Sequence, residues 1–198
     1  EWVRDGGVLA NLGEGWQALS GNTGLLFLVL GITMGMMAYG PIDSLLPLMV
    51  ASTFSGNGFM ASLVSGVFGV GMLVGVARGD KGNLAHIIIG AAAVVGIVCT
   101  VAGLLPHDLF PAFVTCMGVM AMACAGFNGP LMTLLQKNVA PEKLGRVMGL
   151  NSALIGLGVP TGTALGGMLA ESIGVAAFFT VDGLVIVALA VGLAVAPG

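Results

Sequence analysis

The stretch "GPIDSLLPLMVAS", residues 40–52, lies inside an apolar run long enough to cross a bilayer, yet it holds two prolines and the ionisable Asp43. A close copy, "GPLMTLLQKNVA", returns at Gly129, 89 residues after Gly40. A proline removes a backbone donor and a carboxylate in lipid is costly, so each needs a reason. That the chain accepts them in a repeated stretch points to a shared role.

Outward from this stretch, composition sets the class. The chain has 198 residues, of which 57% are hydrophobic and 8% charged, with a mean hydropathy of +1.07. A water-soluble domain carries about a quarter charged residues, so too few are present to coat a wet surface. An integral membrane protein in a lipid bilayer is predicted. The 34 glycines show no triplet period, which excludes collagen and fits helices packed closely in lipid. A net charge of −3 without a basic face gives no support to a nucleic-acid partner. The opening residues show no charged region followed by a short apolar core, so no signal peptide is expected. It starts at Glu1 and ends in "AVAPG", and we expect it to be a piece of a longer polypeptide.

A hydrocarbon core about 30 Å thick needs about 20 apolar residues as helix. Six stretches meet that length: Gly24–Ala51, Phe59–Ala77, Leu84–Leu105, Pro111–Gln136, Val147–Ala170 and Val175–Ala196. The breaks between them, "STFSGNG", "RGDKGN", "PHD", "KNVAPEKLGR" and "ESIG", carry turn chemistry. The expected domains are a 1–23 cytoplasmic linker and a 24–198 six-helix transmembrane bundle.

The six basic residues orient the bundle. Arg4 precedes the first span, Arg78 and Lys81 follow the second, and Lys137, Lys143 and Arg146 follow the fourth. All fall on one side, which the positive-inside rule names cytoplasm. We therefore expect a multi-pass protein of the cytoplasmic (inner) cell membrane with both termini inside. Ahead of the first span, Val8, Leu9, Leu12, Trp16 and Leu19 share a helical stripe that suggests an interfacial helix. Gly13 and Gly15 weaken it, leaving an unstructured linker as the alternative.

Sliding the sequence by 89 places Pro41 on Pro130, Ser44 on Thr133, and Leu45-Leu46 on Leu134-Leu135. Two further residues in the second copy bring Leu63 onto Leu154, Gly71 onto Gly162 and Gly75 onto Gly166. Spans one to three thus match spans four to six. Three is odd, so the second copy crosses the membrane in the opposite sense. The predicted fold class is an all-α membrane protein, six transmembrane helices in a 3+3 inverted repeat, a signature of secondary transporters.

The segments "PIDSLLPLMV", "FGVGMLVG", "NGPLMTLLQKNVAPEKLGRVMGL" and "GVPTGTALGGMLAESIGV" carry a family likeness. Through them the chain resembles the C-terminal six-helix half of a major facilitator superfamily transporter, in the branch of macrolide-efflux-like drug and siderophore exporters. The resemblance implies an N-terminal six-helix half as partner, a central cavity lined by the first and fourth spans, and alternating access by rocking. It also implies a small-molecule substrate and protons as the driving ion. One departure is "GVARGDKGNLAH", where similar proteins carry a longer, more basic segment. That puts gating roles for Arg78, Asp80 and Lys81 in doubt.

Met36, Tyr39, Gly40, Asp43 and Pro47 fall near one helical face, and their mates are Ala125, Asn128, Gly129, Met132 and Gln136. The substrate-binding candidates are Met36, Tyr39, Asp43, Asn128, Met132 and Gln136. Pro41 and Pro130 are expected to bend both cavity-lining helices, with bundle packing and nearby Ser or Thr offsetting the lost bonds. Asp43 either faces a water-filled cavity or snorkels to the nearer surface. Eight of twelve methionines, Met34, Met36, Met37, Met49, Met117, Met120, Met122 and Met132, lie in these two spans. Adaptable ligand contacts and ordinary gap-filling both suit thioethers.

The run Gly158, Gly162, Gly166 with Pro160, and the pair Gly71, Gly75, offer smooth faces for close packing. Asp182 lies about 10 Å into the last span by helical rise, and is expected to reach water. Cys99, Cys116 and Cys124 read as small buried hydrophobes without a disulfide. His86 and His107 have no metal-ligand spacing to other residues, so no metal or cofactor is expected. An intramembrane enzyme finds no Gly-x-Ser-x-Gly, no His-Glu-x-x-His and no histidine deep in a span. A non-transporting scaffold or channel stays open as the alternative, although a channel more naturally shows a ring-forming polar filter.

Overall fold

The computed structural model describes residues 13, 16, 17, 21, 23–78 and 82–195. Six helices follow one another: α1 (Thr23–Phe54), α2 (Gly58–Arg78), α3 (Leu84–Leu104), α4 (Phe110–Asn138), α5 (Pro141–Ile173) and α6 (Val175–Val195). No strand occurs among the described residues. Each helix contains a stretch long and apolar enough to cross a membrane. The stripe at residues 8–19 falls largely outside the described residues; within it Trp16 is helical and 45% exposed.

The helix ends follow local chemistry. The Asn83 side chain caps α3, its oxygen accepting from the Ala85 N–H at 3.0 Å. Asn57 serves α2 in the same way, accepting from the Met60 N–H at 3.1 Å. The largest departure from expectation is α5, which starts at Pro141 rather than Val147. Proline at the first helical position presets φ, and Glu142 complements the positive end of the helix. Hydropathy sees only the part of a helix that sits in lipid. The charged turn with Glu142, Lys143 and Arg146 is too polar for that signal yet belongs to α5, with all three side chains exposed.

Both copies of the opening stretch stay helical, and α1 runs unbroken through Pro41 and Pro47, as α4 does through Pro130. One turn on, the Ser44 hydroxyl donates to the Gly40 carbonyl at 3.1 Å. Its repeat mate Thr133 donates to Gly129 at 3.0 Å. Such back-bonding bends helices slightly and employs the hydroxyl internally, as lipid requires.

The packing pattern carries the repeat into three dimensions. The main pairings are α3 on α6, α2 on α4, α1 on α5, α3 on α4 and α1 on α6. Exchanging α1 with α4, α2 with α5 and α3 with α6 returns the same set. Glycines bring the seams close. A Cβ on Gly71 of α2 would lie 2.6 Å from the Gly118 carbonyl oxygen of α4, and one on Gly75 would lie 2.6 Å from that of Met122. In the mated seam, a Cβ on Gly162 of α5 would overlap the Met37 carbonyl of α1, and one on Gly166 would strike the Pro41 ring. Between α3 and α6, Gly96 and Gly183 each sit against the other's carbonyl. Backbones meet because no side chain stands between them, the usual packing solution in lipid.

Two apolar clusters occupy opposite ends of the bundle. One includes Ile42, Met49, Phe54, Val64, Cys99, Phe113, Met117, Met120 and Phe179. There Phe54 joins the end of α1 to the start of α4, with ring centroids 5.6 Å from Phe110 and 4.9 Å from Phe113. The other gathers Val29, Ile88, Leu131, Leu135, Val139, Val147 and Leu150 toward the side where α4 turns into α5.

Candidate functional site

Between the two clusters lies a cleft of about 350 Å³ to which all six helices contribute. Gly35, Met36 and Tyr39 come from α1, Phe68 and Met72 from α2, and Ala92 and Val95 from α3. Cys124 of α4, Ile155 of α5 and Ile186 of α6 complete it. Every one of these residues lies within about one helical turn of the midpoint of its helix. The cleft is therefore at mid-span, enclosed by apolar and thioether groups with a few polar atoms. Its size and lining suit part of an apolar organic molecule.

The polar atoms converge at one corner. The Tyr39 hydroxyl of α1 and the Cys124 thiol of α4 come within reach of one another. Asp43, one turn along α1, is exposed yet close enough to act electrostatically on both. The corner thus offers a hydroxyl, a thiol and a nearby carboxylate, while the rest of the cleft offers only apolar contact.

Of the six substrate-binding candidates, Met36 and Tyr39 line this cleft. Asp43 lies outside it, toward the α1–α2 connection. Met132 is 41% exposed, Gln136 is exposed, and both lie along α4 toward its Asn138 end. The Asn128 side chain lies outside the described ones. Because the repeat is inverted, a mate displaced from the midpoint of α1 toward one face of the membrane is displaced toward the other face on α4. Asp43 and Met132, matched in the repeat, accordingly diverge. Near mid-depth, two pairs of mates line the same cleft, Gly35 with Cys124 and Val95 with Ile186. The sequence reading missed Cys124 and Ile186 as cleft residues; their mid-span pairing by the repeat is the signal that could have found them.

Other sequence expectations divide. Gly40 is buried against Val159 and Thr163 of α5, whereas Asp43 and Pro47 are exposed, so the five-residue face of α1 is split. Met49, Met117 and Met120 are core residues, while Met34 is 56% exposed. Pro160 is exposed, and a Cβ on Gly158 would meet nothing closer than 3.7 Å, so close packing falls to Gly162 and Gly166. Asp182 does not reach water freely. It is 8% exposed, because the azimuth of this residue on α6 turns it toward α1 and α5 rather than outward. Cys99, Cys116 and Cys124 are outside any disulfide, and only Cys99 is buried. Among the described residues no three His, Cys, Asp or Glu side chains are grouped as a metal site.

Comparison with known proteins adds to this geometry. The sequence profile of the Major Facilitator Superfamily matches residues 25–197. Macrolide efflux protein A of Streptococcus pyogenes is 33% identical over 191 residues, covering 94% of this chain and 47% of that protein. A protein of the same name from Enterococcus faecalis is 33% identical over 162 residues, covering 80% of this chain and 50% of its own length. The chain spans about half the length of these curated relatives.

Proposed function

The chain belongs to the Major Facilitator Superfamily, a transporter family, and from that premise we propose that it works as the C-terminal half of a proton-driven exporter of amphipathic small molecules. The observation that carries this reading is the mid-span cleft between the two three-helix copies, since alternating access needs a site near the pivot of the repeats. Apolar walls with Met36, Phe68 and Met72 suit a macrolide-like or siderophore-like molecule, and the Tyr39–Cys124 corner offers it polar contacts. The relatives' names supply the outward direction. An N-terminal half of six helices would complete the cavity against the faces of α1 and α4 left exposed by this bundle, around Asp43 and Met132. Protons moving down their gradient would drive the exchange.

The test is transport by the complete polypeptide in inverted membrane vesicles. Acidifying the lumen is expected to drive uptake of a macrolide or a fluorescent amphipathic dye, and a protonophore to abolish it. Absence of gradient-dependent uptake across a panel of such compounds would refute the exporter reading.

Orientation is tested separately. We propose that the loop holding His107 faces outward and the start of α5 faces the cytoplasm, in the inner cell membrane, following the basic residues. In a background lacking the three native cysteines, His107→Cys is expected to react with an impermeant maleimide on intact cells, and Glu142→Cys only after permeabilisation. The reverse pattern would invert the topology.

A further inference from the structure

Two carboxyl groups lie well inside the described helices, away from their ends, and their surroundings differ. Asp43 is exposed. Asp182 is 8% exposed, and its Oδ2 is buried without a hydrogen-bond partner. It lies in a groove of about 290 Å³ where α1, α5 and α6 meet, separate from the mid-span cleft. The walls include Met34, Met37 and Pro41 of α1, Leu165 and Leu169 of α5, and Phe178 of α6. Every wall side chain except Asp182 is apolar or glycine.

Nearby donors are already employed. On α3, the Thr100 hydroxyl donates to the Gly96 carbonyl at 2.8 Å, and the Cys99 thiol donates to the Phe179 carbonyl at 3.3 Å. On α6 itself, Thr180 donates to Ala176 at 3.1 Å. Among the described residues, the Cys99 thiol lies within electrostatic reach of this carboxyl. From α1 and α5 no titratable or charged side chain lines the groove, and none of the described Lys, Arg or His residues does. An ionised carboxylate in such a place has lost its hydration with nothing to replace it, and proteins avoid that state by neutralising the group.

The groove has a mouth, since Met34, Leu165 and Val185 on its walls are 56%, 55% and 47% exposed. Its floor rests on tight seams, with Gly166 against Pro41 and Gly183 against Thr100. Separation of α6 from α1 and α5 would widen the mouth and bring water to the carboxyl; closure would expel it.

We propose that Asp182 is a proton-binding site, neutral while α1, α5 and α6 are packed together and releasing its proton to water that enters when the groove widens. It adds to the exporter reading a second acid whose proton occupancy follows helix packing at the rim of the bundle, rather than the contents of the central cleft. The two claims fail separately, because carboxyl labelling reads this site and export reads the function.

Apolar carbodiimides modify protonated carboxyls in lipid-like surroundings, and a fluorescent member of that class is the probe. Vesicles containing the complete polypeptide are labelled across a pH series and the modified peptide of the unaltered protein is mapped. Label is expected on Asp182, falling about tenfold per pH unit once the medium passes the midpoint of its titration. Asp182→Glu is expected to keep the label and Asp182→Asn to lose it. No label on Asp182 at any pH, as for a carboxylate paired with a cation elsewhere in the complete polypeptide, would overturn the proposal. So would labelling that does not vary with pH. Mapping the unaltered protein keeps both outcomes readable if Asp182→Asn fails to fold.

Discussion

Gly162→Ala is expected to destabilise the bundle by about 1–3 kcal/mol, while Gly158→Ala, one turn earlier on the same helix, stays within about 0.5 kcal/mol of the parent. The difference comes from what each new methyl would meet. At Gly162 it would overlap the Met37 carbonyl of α1, and backbone cannot step aside as a side chain can. That carbonyl is the one Pro41 leaves without its N–H partner four residues on, so α5 lies directly over the break in the α1 ladder. At Gly158 the nearest atom is 3.7 Å away, an ordinary contact. Alanine there also gains helix propensity over glycine. Denaturant titration of the complete polypeptide in detergent micelles, followed by circular dichroism, compares the two. Equal midpoints would mean that α1 and α5 are not in close backbone contact.

The second large effect is expected at Asp43. Asp43→Asn should insert and fold as the parent does, since the residue is exposed and the amide keeps its size. Export should fall about tenfold, on the order of 1.4 kcal/mol of coupling between the driving ion and substrate. Asp43 lies one turn beyond the Tyr39–Cys124 corner and within electrostatic reach of both, so its charge is felt at the polar edge of the cleft. Asp108→Asn, in the connection between α3 and α4, removes an exposed carboxylate far from that corner and is the matched control. Vesicle transport at matched expression decides. An Asp43→Asn variant that exports at the parent rate with unchanged pH dependence would leave Asp43 as a residue that merely reaches for the surface.

The spans were legible because hydropathy and helix length answer the same question, how much apolar chain a bilayer needs. The repeat was legible because Gly-Pro followed by a hydroxyl residue and Leu-Leu is specific, and the Ser44 and Thr133 bonds show the two copies in the same local geometry. Depth, however, is only one of two coordinates on a helix. Asp182 was placed at a reasonable depth and assigned to water, but it points into the contact of α6 with α1 and α5, a direction that near-uniform apolarity on α6 conceals. The start of α5 was missed for a related reason: Pro141 to Arg146 is helical without being apolar. Cys124 was passed over because its value comes from Tyr39 on another helix, which no spacing along α4 reports.

The pairing of Gly35 with Cys124 and of Val95 with Ile186 across the cleft has an evolutionary consequence. In a symmetric dimer of a three-helix protein, one codon would shape both walls of such a cleft, and each ligand contact would come in duplicate. With both copies on one chain the walls change one at a time. A thiol can arise on α4 while glycine keeps room on α1, and the enclosed space can become lopsided to match a lopsided molecule. Substitutions elsewhere must respect two surroundings that differ only slightly. At the centre a single replacement changes one wall while its repeat mate stays as it was, so that is where the shape of the enclosed space responds most directly.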